Sequence, residues 1–87
     1  MIDRCTYGDL IAIMKGIGFR EGQIADPQRV LEHPAVGAVF LLPPVDSDEP
    51  VRSFHMAAAR KLIIAKGAAD AEEFDRLVES RLLAKAS

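Results

Sequence analysis

Val30-Leu31-Glu32-His33-Pro34-Ala35-Val36-Gly37-Ala38-Val39-Phe40-Leu41-Leu42-Pro43-Pro44 sets two apolar runs on either side of a turn marked by Pro34 and Gly37. Proline fixes its own backbone angle and glycine supplies conformations closed to other residues, so the spacing predicts a β-hairpin. Arg29 to His33 reads as the incoming strand, with Val30 and Leu31 on opposite faces. Which of those faces meets the core is not fixed by the residues. Ala38 to Leu42 is an unbroken apolar run of strand length stopped by two prolines, and such a run is expected to be the central, most buried strand.

On the N-terminal side, Thr6-Tyr7-Gly8-Asp9 has the spacing of a capping box, in which a threonine hydroxyl and an acid three residues later satisfy each other's backbone amides. A helix is expected from there. Leu10, Ile13, Met14 and Ile17 fall within one arc at 100° per residue and form its core-facing stripe. Gly16 and Gly18 are expected to stop it, one of them as a left-handed cap. Phe19-Arg20-Glu21 reads as a short strand and Gly22 to Pro27 as a loop.

On the C-terminal side, Asp46 to Pro50 is an acidic loop. Ser53 is the expected cap of a second helix that runs toward Lys66 and is closed by Gly67. Its apolar residues occupy two faces, Met56 and Ile63 on one and Phe54, Ala58 and Leu62 on another. A third helix capped by Asp70, with Phe74, Leu77, Val78 and Leu82 in its stripe, is expected to cover the spare face. The order helix, three short strands, helix, helix indicates an α+β domain with a three-stranded antiparallel sheet packed by helices.

The chain has 87 residues, 49% of them hydrophobic and 28% charged. That length supports one domain, 1–87, able to bury only about 60 to 65% of its unfolded surface. Eleven Lys and Arg against thirteen Asp and Glu give a net charge of −2, which does not favour a polyanion at long range. A single cysteine, Cys5, cannot form an intramolecular disulfide. No apolar run is long enough to cross a membrane and the N-terminus lacks the pattern of a secretion signal, so a soluble, cytoplasmic protein is expected.

Gly18-Phe19-Arg20, Glu32-His33-Pro34, Leu41-Leu42-Pro43 and Asp48-Glu49-Pro50-Val51-Arg52, followed by a helix ending Lys66-Gly67, together resemble the HicA-type toxins of bacterial toxin-antitoxin systems. The resemblance covers roughly Leu10 to Val78. It implies a fold like a double-stranded-RNA-binding domain, cleavage of messenger RNA, and neutralisation by a small antitoxin. The family carries a Gly-Ser-His element shortly before the His-Pro turn. Counted back without a gap, Pro27 stands in the serine's place, Gln28 in that of the catalytic histidine, and Arg29 next to it. Metal-free RNA cleavage needs a group that accepts the 2′-hydroxyl proton near neutral pH, which histidine supplies and glutamine does not.

The remaining candidates are therefore substitutes. His33 is a candidate displaced general base, with Arg29 on the same strand face to hold a phosphate, or else a turn histidine bonded to local backbone. His55 is a second candidate, or else a packing residue beside Phe54. Arg20, Arg29, Arg52, Arg60 and Lys61 are the candidate RNA-binding cations, against the alternative of an ordinary mixed-charge surface. Two histidines and one cysteine scattered over three elements do not have metal-ligand spacing, and no cofactor motif is present, so neither metal nor cofactor is expected. The partners expected are an antitoxin-like protein, a second copy of the chain, or RNA, with no direct role for DNA or a membrane. The leading expectation is a HicA-like domain that binds RNA or protein without cutting. The alternatives are a homodimeric interaction module that does not bind RNA, and an active ribonuclease using a displaced histidine.

Overall fold

The computed structural model describes residues 5–22 and 29–86. Thr6 is the cap of α1 (Tyr7–Ile17), and the capping box is complete. The Asp9 amide donates to the Thr6 hydroxyl at 3.2 Å, while the Thr6 amide donates back to Asp9 Oδ2 at 2.9 Å. The remaining free amides of the first turn find carbonyls on the acidic loop: Tyr7 N–H donates to Glu49 O at 2.9 Å and Gly8 N–H to Ser47 O at 2.8 Å. Val51 N–H completes the seam on Cys5 O at 2.8 Å. Gly8 lets the loop come this close, since a Cβ at that position would lie 3.1 Å from the Ser47 carbonyl oxygen. Gly18 alone ends the helix, at φ 123°, with Gly16 still inside it.

Three antiparallel strands follow: β1 (Arg20–Glu21), β2 (Arg29–His33) and β3 (Ala38–Leu42), in the order β1-β2-β3. The central strand is thus β2, and the expectation that Ala38 to Leu42 would be central is corrected. β3 lies at the edge and its burial alternates. Leu31 pairs with Phe40, between His33 with Ala38 and Arg29 with Leu42. Directly paired residues share a face, so Leu31, Ala38, Phe40 and Leu42 all meet the core, where each is buried. The opposite face carries Val39 and Leu41, which are 55% and 49% exposed, and on the central strand Val30, which is buried.

The helical layer is completed by α2 (Ser53–Ala65) and α3 (Ala71–Ala86). Arg52, in extended backbone, is the N-cap of α2, so the helix starts one residue earlier than a Ser53 cap would allow. Ala59 and Ile63 are buried. Of the second apolar face of α2, Leu62 is half-buried against the core while Phe54 and Ala58 remain exposed, so the expectation that α3 would cover that face is corrected for its first half. Among the described residues no helix is long and apolar enough to cross a membrane.

Phe74 anchors α3 in the core, and Asp9 ties the far end of the helix to α1. The Asp9 carboxylate, 6% exposed, accepts from Arg81 Nε at 2.8 Å and Lys85 Nζ at 2.7 Å. Burial pushes the carboxyl pKa up, but hydrogen bonds from Lys85, the Thr6 amide, Arg81 and the Thr6 hydroxyl outweigh it and hold the group well below the usual range. In the unfolded chain an aspartate protonates near about 3.9. A depressed native value therefore contributes stability that is full above that point and is lost as pH falls below it. Asp9→Asn should cost roughly 2 to 4 kcal/mol at neutral pH, between an exposed and a fully buried ion pair. In urea titrations at a series of pH values, the gap between wild type and Asp9→Asn should narrow below about pH 4.

Candidate functional site

The two histidines hold opposite ends of α1. At the C-terminal end, His33 Nε2 lies 3.3 Å from the Ile17 carbonyl oxygen. A carbonyl only accepts, so the ring proton sits on Nε2 and the Nδ1 lone pair faces inward. Nδ1 is buried with no hydrogen-bond partner among the described residues. The ring stands edge-on to Phe19, with centroids 5.2 Å apart and planes at 89°. A Cβ on residue 18 would come within 2.5 Å of Nε2, so the glycine both ends the helix and makes room for the imidazole.

At the N-terminal end, His55 Nδ1 lies 2.6 Å from the hydroxyl of Tyr7, which is itself 3% exposed. The same hydroxyl accepts from Arg52 N–H at 3.4 Å, at the start of α2. The hydroxyl has one proton to give and two lone pairs to offer, so it bridges the Arg52 amide and the imidazole in either tautomer of His55. The Phe54 ring lies beside the imidazole, with centroids 4.2 Å apart and planes tilted by 45°. Residues 7 and 17 are about 15 Å apart along a helix of 1.5 Å rise, so the histidines do not address one phosphate as an acid–base pair. Gln28, in the place the resemblance gives to the catalytic histidine, lies outside the described residues.

The cations are dispersed in the same way. Arg29 shares the His33 face of β2 but sits at the other end of the strand, where its guanidinium meets Glu21 at 2.7 Å. Arg29 and Lys15 together lower the Glu21 pKa. Arg20 lies 3.7 Å from Glu32. Arg60 grips Asp75 of α3 with two hydrogen bonds, at 2.9 and 3.1 Å. Arg52 and Lys61 are exposed, and their side chains form no ion pair among the described residues.

Burial, followed by the Asp9 carboxylate, pushes the Cys5 thiol up and away from the reactive thiolate. Among the described residues no group of three or more His, Cys, Asp or Glu side chains is placed to hold a metal ion.

Sequence patterns did not point to Tyr7 or to the contact between Gly18 and His33. For Asp9 a signal existed: Arg81 and Lys85, four apart on one helix face, present two cations to a single acceptor.

Gly18→Ala should lose at least about 1 to 3 kcal/mol, from backbone strain and collision with His33. Gly16→Ala, in the last turn of the helix with open space around it, should gain up to about 0.5 to 1 kcal/mol. Denaturant titration of both variants checks the contrast.

Compared with protein-family models, with curated proteins and with solved structures, the chain matches none.

Proposed function

We propose that the chain is a non-catalytic HicA-like domain, on a scaffold like that of a double-stranded-RNA-binding domain, that works by binding a small protein of antitoxin type. The resemblance between Gly18-Phe19-Arg20 and Lys66-Gly67 supports the family reading. The α-β-β-β-α-α order and the antiparallel sheet are compatible with that scaffold.

The observation that carries the non-catalytic reading is the separation of the two histidines. Each ring is engaged at its own end of α1, by the Ile17 carbonyl and by the Tyr7 hydroxyl. An acid and a base for phosphodiester cleavage must reach the same few atoms. Gln28 in the catalytic place supports the same conclusion. A protein partner is favoured over RNA because Arg20, Arg29 and Arg60 already face carboxylates within the domain. Phe54 and Ile64 on α2 meanwhile offer apolar surface. Counterion release, which drives RNA binding, needs cations that are free to neutralise phosphate.

RNA binding without cleavage is the second reading, and Arg52 and Lys61 are what favour it.

Incubation with labelled RNA should leave the RNA intact. Cleavage that disappears in a His33→Ala, His55→Ala variant would overturn the reading. No salt-sensitive gel shift is expected; a shift weakened by Arg52→Ala with Lys61→Ala would move the conclusion to RNA binding. Co-expression with the product of a short open reading frame adjacent to the gene should yield a stable complex.

A further inference from the structure

We infer that β3 pairs with β3 of a second copy, antiparallel about a two-fold axis through Phe40, to make one continuous six-stranded sheet. The inference does not depend on the family resemblance. It begins with the direction of the backbone groups. Gly22 N–H donates to Val30 O at 2.9 Å, so the peptide groups of Val30 point toward β1. Peptide groups alternate along an antiparallel strand, so those of Arg29, Leu31 and His33 point toward β3. Their partners Leu42, Phe40 and Ala38 point back. Val39 and Leu41 are left with N–H and C=O directed out of the sheet, and no hydrogen bond reaches them among the described residues.

The same two residues carry the exposed apolar side chains of the open face, 55% and 49% exposed. One register satisfies both features together. With Phe40 on the axis, Val39 of each chain lies opposite Leu41 of the other, and that pair exchanges both of its backbone hydrogen bonds. Every outward N–H and C=O of the two residues is then used. On the open face the two valines and two leucines form one apolar patch across the axis.

Other registers do worse. An axis through Leu41 sets Val39 opposite Pro43, which has no N–H to give. An axis through Val39 sets Leu41 opposite Gly37, whose N–H is already bonded to Pro34 O at 3.3 Å.

Charge also suits a second copy. Ala38 to Leu42 contains no charged residue, so two chains of net charge −2 meet along a neutral strip. The nearest acid on the open face, Glu32, pairs with Val39 inside its own sheet. In the joined sheet it is separated from its counterpart by β3 of both chains. Within Ala38 to Leu42 there is no lysine, proline or bulge of the kind by which isolated sheets discourage pairing, and Pro43 limits the pairing to this short stretch. A single strand edge offers less than the roughly 800 Å² per partner of a standard interface, so the dimer should be weak, with a dissociation constant on the order of tens to hundreds of micromolar.

Sedimentation velocity over a concentration series, combined with amide hydrogen exchange, tests this. A reversible monomer–dimer equilibrium is expected, with the Val39 and Leu41 amides becoming protected as the dimer forms. The Phe40 amide, bonded to β2, should be protected throughout. Leu41→Lys should weaken the dimer at least about tenfold with an unchanged circular dichroism spectrum. Val39→Pro, which deletes an outward N–H at a position where an edge strand accepts proline, should weaken it independently. A chain that stays monomeric to about 1 mM would overturn the inference. So would a dimer in which the Val39 and Leu41 amides exchange as fast as in the monomer, since the copies would then meet elsewhere.

Discussion

The carboxylate of Asp9 is the polar contact that joins α1 to α3. It closes the capping box with Thr6, and it takes hydrogen bonds from Arg81 and Lys85 near the C-terminal end of α3. A buried carboxylate with one cation removed is left partly uncompensated, so these bonds act as a group and not as separate surface pairs. Because Asp9 lies in the first turn of α1, where the helix dipole also favours a negative charge, the local and the tertiary demands on this residue coincide. The position of α3 is thereby tied to the N-terminus of α1, and the acidic loop is tied to the same turn through backbone bonds to Tyr7 and Gly8.

A domain of this size buries a modest core, and polar ties between elements supply orientation that apolar contact alone leaves loose. Here those ties consume the side chains most often used for chemistry. His33 caps the last turn of α1, His55 and Tyr7 join the starts of α1 and α2, and Arg60 joins α2 to α3. The chemistry read from a list of titratable residues is therefore richer than the chemistry those residues are placed to perform. Exposed apolar side chains remain at Val39 and Leu41 on the sheet, at Phe54 and Ile64 on α2 and at Leu83 on α3.

Local signals in the sequence were reliable where the structure uses local bonds. The Thr6–Asp9 capping box, the Pro34–Gly37 hairpin, the Asp70 cap of α3 and the Gly67 ending of α2 all stand where short-range geometry puts them. What was not legible depends on residues far apart in the chain. Asp9 meets its cations 72 and 76 residues away, and Tyr7 meets His55 across 48. Ser53 has the right chemistry for a cap, yet the Arg52 amide is bonded to Tyr7 and α2 begins one residue sooner. The apolar run of β3 suggested a strand enclosed on both sides, whereas two of its residues face outward at the sheet edge. Hydrophobicity alone does not distinguish a strand buried by its own chain from one awaiting a neighbour.

The seam between the acidic loop and α1 has a practical consequence for anyone altering this protein. Asp46 to Pro50, polar and exposed, is the segment a designer would choose for inserting an epitope or expect a protease to nick first. Its Ser47 and Glu49 carbonyls are instead the acceptors that finish the first turn of α1. An insertion there would lift that turn off its acceptors and loosen Asp9 from Thr6 with it. The turn from Pro34 to Gly37 hydrogen-bonds mainly to itself, and its exposed first half, Pro34-Ala35, ahead of the half-buried Val36, is the better place to attach a reporter.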